Sequence, residues 1–222
     1  HLSVYLNNIG TYQFQAYNQI VNNIAKTHYR WNEPLNITIR MPYGGGMSAG
    51  PFHSQSPESW FFHTPGLKIV APSSAYDAKG LLNSSIEDPN PVLYFEHKYM
   101  YRSIKGLVPN DYYNIEIGKA DIKKIGKDAS IITYGMGVHW ALKIANKLEN
   151  NNISIEVVDL RSLIPWDKDL VEKSISKTNR VLILHEANLT GGIGAEISAY
   201  ISEKCFKSLD APVMRLGAID TP

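Results

Sequence analysis

Apolar residues in the first hundred positions follow two spacings. Between Tyr12 and Trp31 they recur every three or four residues, which is the period of an amphipathic helix. Three short apolar runs then predict buried strands, at residues 37–40, 67–71 and 92–95. Because helical segments separate these runs, we predict a sheet of parallel strands covered by helices.

Turn and capping residues mark where the intervening segments begin. The stretch from Met41 to Pro51 is so rich in Gly and Pro that we predict a loop, and a loop of this length usually has a function. Ser56-Pro57-Glu58 places a capping residue before a proline and predicts a short helix. Ser74 and Asp77 have the spacing of a capping box, in which each side chain reaches the other's backbone amide, and predict a longer helix.

The second half of the chain repeats the alternation after a break. Between residues 96 and 128 the apolar period fades, and we interpret this part as an extended crossing. Further strands are predicted at 129–134, 153–158, 181–185 and 213–216, with helices at 138–148, 167–176 and 193–205. The sequence therefore predicts an α/β fold with two doubly wound domains, at residues 1–105 and 128–222, joined by a connector at 106–127.

Composition and charge exclude several classes of protein. The 222 residues contain 22 Lys and Arg against 21 Asp and Glu, so nothing favours a nucleic-acid platform. No apolar stretch approaches the roughly 20 residues that a membrane span needs. The single cysteine, Cys205, cannot form an internal disulfide and indicates a reducing compartment, which we expect to be the cytoplasm, or the mitochondrial matrix in a eukaryote. Because the chain opens at His1 without a leader, we expect a fragment of a longer protein.

One histidine stands out as a candidate for chemistry. The chain contains no phosphate loop of the G-x-x-x-x-G-K-[ST] type, no H-E-x-x-H zinc helix and no G-x-S-x-G nucleophile elbow. His53 lies between the glycine-rich loop and a capped helix, where the backbone is held but the side chain can face a ligand. An imidazole there can transfer protons near neutral pH. His63, on the helix that follows, is expected to pack or cap.

Strand ends of the second domain are the other places where a ligand is expected. Ligands of doubly wound sheets bind beyond the carboxyl ends of the strands. Gly135-Met136-Gly137 and His185-Glu186-Ala187, the latter followed by Gly191-Gly192, are predicted to lie there. Gly135-Met136-Gly137 lacks the third glycine of a dinucleotide loop, which favours a tight turn.

Several ordered motifs together resemble one enzyme family. They are His53-Ser-Gln-Ser-Pro-Glu58, His63-Thr-Pro-Gly-Leu-Lys-Ile-Val-Ala-Pro72, Ile86-Glu-Asp-Pro-Asn-Pro91, Tyr101-Arg102, Val157-Val-Asp-Leu-Arg-Ser-Leu-Ile-Pro-Trp-Asp167 and His185-Glu-Ala-Asn-Leu-Thr-Gly-Gly192. In this order they resemble the β subunit of thiamine-diphosphate-dependent 2-oxo acid dehydrogenases, within the transketolase superfamily. Tyr101-Arg102 and Gly118-Lys-Ala120 favour the branched-chain (2-oxoisovalerate) type over the pyruvate type.

The resemblance implies a fold, a cofactor and two site residues. It implies a pyrimidine-binding transketolase-like domain, incomplete at its N-terminus, followed by a transketolase C-terminal domain. Thiamine diphosphate would lie between chains, with its diphosphate and Mg²⁺ held largely by an α subunit or N-terminal half. Tyr12 would pack on the aminopyrimidine ring, and His53 would be the acid/base that serves acyl transfer to lipoamide.

A monovalent cation, K⁺, is also implied by the resemblance. Its matching positions are Leu35, Ile37, Thr38, Ser85, Asp88 and Asn90. Carbonyl and carboxylate oxygens suit hard cations, and helix-end carbonyls lack intrahelical partners. The alternative is that Asp88 and Asn90 simply terminate a helix.

The implied reaction is oxidative decarboxylation of a small, branched-chain 2-oxo acid. The expected partners are the α chain, a second β copy and a lipoyl acyltransferase core. The family's catalytic glutamate belongs upstream of Tyr12, where residues 1–10 contain no acid, so we expect the fragment alone to be inactive. The alternatives are a pyruvate dehydrogenase β subunit, another transketolase-superfamily enzyme such as a 1-deoxyxylulose-phosphate synthase, and a non-catalytic assembly module.

Overall fold

The computed structural model describes residues 2–5 and 16–221. They fall into two units, the first made of His1–Gly118 with Ser162–Pro165 and the second of Lys119–Arg161 with Trp166–Pro222. The short segment Ser162–Pro165 therefore belongs to the first unit although it lies far along the second half of the sequence. Over the described ranges, no helix is long and apolar enough to cross a bilayer.

The described residues form strands and helices in alternation. The strands are β1 (Leu2–Tyr5), β2 (Ile37–Tyr43), β3 (Lys68–Val70), β4 (Val92–His97), β5 (Asp121–Lys124), β6 (Ala129–Thr133), β7 (Ile155–Asp159), β8 (Ser162–Ile164), β9 (Val181–Asn188) and β10 (Met214–Ala218). The α-helices are α1 (Ala25–Trp31), α2 (Glu58–Phe62), α3 (Ala75–Glu87), α4 (Met100–Ser103), α5 (Met136–Glu149), α6 (Lys168–Thr178) and α7 (Ile193–Lys204). A π-helical segment, Gln19–Ile24, precedes α1, so part of the predicted first helix is wound more loosely than an α-helix.

The first unit is built on a sheet with the order β1-β2-β4-β3-β8. The first four of these strands are parallel, and β8 runs antiparallel to β3. Helix α3 packs its apolar face on the sheet through Leu81, which lies among Val70, Val92 and Tyr94. All four side chains are at most 1% exposed, so this is the core that fixes β3 and β4 beneath the helix.

The second unit has a sheet with the order β10-β9-β6-β7-β5. Four strands are parallel, and β5 pairs antiparallel with β7 at one edge. Ala141 and Ala145 of α5 pack against Ile131, Ile155 and Val157. The small alanines let the helix approach the strands closely. The predicted α/β fold with two parallel-sheet domains is therefore confirmed.

Local capping was predicted correctly for α3 and wrongly for α2. The Ser74 hydroxyl accepts a hydrogen bond from the Asp77 backbone N–H at 3.0 Å, which is one half of the predicted capping box, and donates to the Asp77 carboxylate at 2.5 Å. Pro57, predicted at the first helical position, instead occupies the N-cap position of α2 with ψ at 9°, and makes no side-chain cap. Ser56 therefore lies one residue too early to cap the helix.

Two further elements differ from the predictions. Strand β2 continues through Met41, Pro42 and Tyr43, which the Gly and Pro content had assigned to the loop. Pro42 lies opposite Glu96 of β4, so the proline is accommodated within the β2–β4 pair. The predicted connector contains the edge strand β5. Its polar sequence, Asp-Ile-Lys-Lys, has no apolar pattern from which a strand could be predicted.

Candidate active site

The loop that follows β2 brings His53 to one edge of the first sheet. Strands β2 and β4 are parallel and in register from Thr38 with Val92 to Tyr43 with His97. Their carboxyl ends therefore lie side by side, and residues 44–55 begin at that edge. The backbone N–H of Gly44 donates to the Gln55 carbonyl at 2.8 Å and closes the loop at its base.

His53 ends a 3₁₀ turn, Pro51–His53, within this loop. Its N–H donates to the Gly50 carbonyl at 3.2 Å, and the Ser54 hydroxyl donates to the same carbonyl at 2.8 Å. The residue is half-buried, and its Nδ1 is shielded from solvent without a hydrogen-bond partner among the described residues. A buried polar atom left unpaired costs about 1–3 kcal/mol, so this nitrogen is suited to a group beyond the described residues.

Other polar atoms near His53 in the sequence are also buried without a hydrogen-bond partner in the described part of the chain. They are Gln55 Oε1, Ser56 Oγ and Ser59 Oγ. Buried polar groups are normally paired, so their concentration within residues 53–59 indicates a place for water or a polar ligand. Sequence reasoning missed these three, although all lie within or just after the motif that carries His53.

The end of β4 contacts the His53 loop and also lines a cavity of about 190 Å³. A Cβ built on Gly44 would lie 2.2 Å from Nε2 of His97, so only glycine lets the loop rest on that imidazole. The cavity is lined by Pro72, Ser74, Ala75, Ala78, Tyr94, Glu96, His97, Met100, Tyr101 and Ile104. Burial, the largest cause, raises the pKa of Tyr94 well above its ordinary value, with the Glu96 carboxylate adding to the effect. The Tyr94 hydroxyl therefore stays protonated and donates to the Ala78 carbonyl at 2.6 Å.

The residues predicted to hold a cation meet at the opposite end of β2. The Thr38 hydroxyl donates to the Ser85 carbonyl at 2.8 Å, and the Leu35 N–H donates to the Pro89 carbonyl at 3.0 Å. Asn90 donates from its backbone N–H to Asp88 Oδ1 at 2.9 Å. These contacts join the start of β2 to the end of α3 and bring together the oxygen-rich segments 35–38 and 85–90.

Charge at this cluster is balanced. The Lys68 ammonium pairs with Asp88 Oδ2, and the Asn36 amide donates to the Asp88 carbonyl at 2.6 Å. Since one ammonium offsets one carboxylate, the cluster has no excess negative charge. Such a donor set suits a weakly bound monovalent ion better than a divalent one.

His63 and Tyr12 complete the set of predicted residues in this unit. His63 is exposed at the carboxyl end of α2, so it takes the capping place that the sequence suggested. Tyr12 lies outside the described residues. Five residues of β2, 39–43, lie between Thr38 of the cation cluster and the first residue of the His53 loop, a span of about 20 Å, so the two form separate sites.

His185 lies at the carboxyl end of β9 in the second unit. It is 1% exposed, and its Nδ1 is 2.9 Å from the Ala187 carbonyl. Cβ atoms built on Gly192, Gly194 or Gly217 would come within 3 Å of its ring, so the start of α7 and strand β10 enclose it. Burial lowers the pKa of His185, which keeps the imidazole neutral. The imidazole is therefore packed closely among backbone atoms, and its Nε2 has no hydrogen-bond partner among the described residues.

Comparison with known proteins relates both units to one superfamily. Residues 6–103 match the family "Transketolase, pyrimidine binding domain", and residues 118–222 match "Transketolase, C-terminal domain". The 2-oxoisovalerate dehydrogenase subunit beta of Bacillus subtilis (strain 168) is 50% identical over 209 residues, 93% of this chain and 64% of that protein. The pyruvate dehydrogenase E1 component subunit beta of the same organism is 44% identical over 212 residues, 94% of this chain and 65% of that protein.

A solved structure also relates the fold of this chain to transketolase. A split-gene transketolase, described as an inactive beta4 tetramer, superposes with a TM-score of 0.79 and 25% identity over 99% of this chain and 67% of that one. The chain spans less than two thirds of the length of these two Bacillus subtilis subunits.

Proposed function

We propose that this chain, which belongs to the transketolase superfamily, forms part of the β subunit of a 2-oxo acid dehydrogenase that decarboxylates branched-chain substrates. The superfamily follows from matches that together cover residues 6–103 and 118–222. Identity is 50% to a 2-oxoisovalerate subunit and 44% to a pyruvate subunit, which favours the branched-chain substrate.

The observation that supports this function best is the environment of His53. Its loop lies at the carboxyl edge of a parallel sheet, where ligands of such folds bind. Its Nδ1 is shielded from water yet has no partner within the described chain. An imidazole in this state can accept a proton from an incoming group and return it. We assign to it the proton transfer that accompanies passage of the acyl group to lipoamide.

The residues fit a cofactor that is held mostly by a partner chain. When bound, thiamine diphosphate would supply the nucleophilic carbon and the electron sink that decarboxylation of a 2-oxo acid requires. The unpartnered atoms of His53, Gln55 and Ser56 offer polar contacts at one side of such a site. Tyr12 would pack on the aminopyrimidine ring. We assign the Mg²⁺ site to an α subunit.

We further propose K⁺ as the occupant of the cluster between β2 and α3. Its ligands would come from Leu35, Ile37, Thr38, Ser85, Asp88 and Asn90, whose segments are joined by the hydrogen bonds described above. Binding there would tie the start of β2 to the end of α3. The other proposed partners are a second β copy and a lipoyl acyltransferase core.

The test uses the full-length β protein assembled with its α partner, thiamine diphosphate and Mg²⁺. Turnover of 2-oxoisovalerate and pyruvate is measured with an artificial electron acceptor, and acyl transfer is measured with lipoyl domain. We expect a strong preference for 2-oxoisovalerate. His53→Ala should lower acyl transfer by about a hundredfold or more, since positioned acid/base groups contribute that much. The exposed His63→Ala serves as the matched control and should change it little.

Each other outcome has a definite meaning. Preference for pyruvate would reassign the substrate within the same class. Normal acyl transfer by a properly assembled His53→Ala protein would make His53 a packing residue. Absence of turnover with either acid would overturn the enzyme proposal and favour an assembly module or a sugar-phosphate enzyme.

A further inference from the structure

Three consecutive residues at the end of β4, His97, Lys98 and Tyr99, lie against the loop that carries His53. We call them the loop platform. The ring of His97 lies directly under Gly44, and a Cβ built on Gly46 would lie 3.4 Å from Cδ2 of Tyr99. Between these two aromatic contacts, the Lys98 ammonium donates a hydrogen bond to the His53 carbonyl. The platform therefore contacts the loop near its base and at the histidine itself.

We propose that Lys98 is a positioning residue that fixes the His53 imidazole for proton transfer, an inference that rests on the proposed function. The carbonyl of His53 belongs to the last residue of a 3₁₀ turn, and carbonyls at such ends lack partners within the turn. Lys98 supplies that partner. Hydrogen bonds from an ammonium are stronger than those between neutral groups, so this one holds the turn firmly.

The other end of Lys98 is anchored in the sheet. Its backbone N–H donates to the Tyr43 carbonyl at 2.9 Å, which extends the β2–β4 ladder by one step. The backbone of Lys98 is thus held by the sheet, while its side chain reaches the His53 loop. Residues that support a site are most effective when rigid elements carry them.

The hydrogen bonds inside the turn have a different role. Those from His53 N–H and the Ser54 hydroxyl both end on the Gly50 carbonyl, so they keep the local shape of the turn. They do not fix that turn relative to the sheet. The bond from Lys98 does, because it joins residue 53 to the end of β4, the strand that carries Glu96 of the Arg40–Glu96 pair. Loss of this bond should leave the turn folded but let it shift.

The experiment compares Lys98→Met, which removes the donor, with Lys98→Arg, which keeps one. Lys105→Met is the control, because Lys105 is an exposed lysine a few residues away and its loss changes the net charge equally. All are made in the full-length protein assembled with its α partner. Three quantities are measured: amide hydrogen exchange of residues 44–55, decarboxylation with an artificial acceptor, and acyl transfer to lipoyl domain.

We expect Lys98→Met to raise exchange in the loop and to lower acyl transfer by about tenfold, since small misplacements of catalytic groups have effects of this order or larger. Decarboxylation should fall by a smaller factor than acyl transfer, because the loop also carries polar contacts to the cofactor but the His53 proton transfer is assigned to the acyl-transfer step. Lys98→Arg should restore most of the loop protection and most of the acyl transfer. Lys105→Met should resemble wild type in all three measurements.

Two results would overturn the proposal. One is wild-type loop exchange and acyl transfer in Lys98→Met. The other is an equal loss of both partial reactions in Lys98→Met and Lys98→Arg, together with a lowered Tm, which would make Lys98 only structural. Failure of the proposed function is distinguishable: a wild-type assembly would then show no 2-oxo acid turnover, while Lys98→Met would still loosen the loop.

Discussion

Arg40 and Glu96 form a bidentate pair across the first sheet. Nε of the guanidinium lies 2.8 Å from Oε2 of the carboxylate, and a terminal nitrogen lies 2.6 Å from Oε1. The Glu96 side chain is 10% exposed and the Arg40 side chain 34%. The pair joins β2 to β4, with Arg40 four residues before the His53 loop and Glu96 directly before the platform. It therefore fixes the two strand ends from which the candidate site is built.

Replacing Arg40 should destabilise the protein more than removing both partners. Arg40→Met leaves the mostly buried Glu96 carboxylate without its cation. We expect a loss of about 2–3 kcal/mol in the free energy of unfolding, less than the roughly 3–5 kcal/mol of a fully buried pair because Arg40 is partly exposed. The double variant Arg40→Met with Glu96→Met should lose less of the free energy of unfolding, because it leaves no unpaired carboxylate. Urea denaturation of the full-length protein measures both, and equal losses would show that the carboxylate does not need its partner.

Potassium should stabilise the first unit through the cluster at the start of β2. At ten times the dissociation constant, a ligand of the folded state alone adds about 1.4 kcal/mol. We expect Tm to rise in KCl relative to choline chloride at equal ionic strength. Asp88→Asn should remove this response, whereas the exposed Asp111→Asn should keep it. A K⁺ response that survives in Asp88→Asn would place the ion elsewhere.

Acid should destabilise the second unit through His185. Burial lowers the pKa of this imidazole in the folded protein, so the unfolded chain binds the proton at higher pH. The stability that depends on the neutral ring is complete above the unfolded value of about 6.5 and falls as pH drops below it, by up to about 1.4 kcal/mol per pH unit. Urea denaturation of wild type and His185→Gln between pH 7.5 and 5 tests this. The variant should show a shallower dependence, and parallel curves would contradict the assignment.

The glycines that surround His185, at positions 192, 194 and 217, should not tolerate an added methyl group. A Cβ at position 194 would lie 2.6 Å from Nε2 of His185 and 3.2 Å from a methyl of Ile183. Overpacking of this kind costs about 1–3 kcal/mol, and Gly194→Ala should lower the unfolding free energy accordingly. Gly106→Ala is the control, since its Cβ would meet only Ala75 at 3.9 Å. Equal stability of the two variants would mean that the ring can move aside.

The sequence predicted those features that depend on local pattern. Apolar spacing identified the parallel strands, and the Ser74–Asp77 pair predicted the start of α3, because both depend on neighbours in the chain. The position of His53, between a glycine-rich loop and a short helix, was also readable locally.

Features that depend on distant partners could not be predicted. β8 is three residues long and pairs with β3, more than ninety positions earlier, so its sequence carries no periodic signal. β5 is polar because it forms an edge. Lys98 has the appearance of an ordinary lysine, and only the folded backbone brings its ammonium to the His53 carbonyl.

The pairing of β8 with β3 also bears on how the first unit can be made. Ile69 is opposite Ile164, so the sheet is incomplete until a ribosome has synthesised the chain beyond Pro165. A product that ended at Gly118 would leave the fully buried Ile69 and Val70 on an open strand edge, which invites self-association. Single-cut truncation therefore cannot yield an intact first unit, and a shortened expression product would have to carry residues 162–165 back to β3 through an engineered linker.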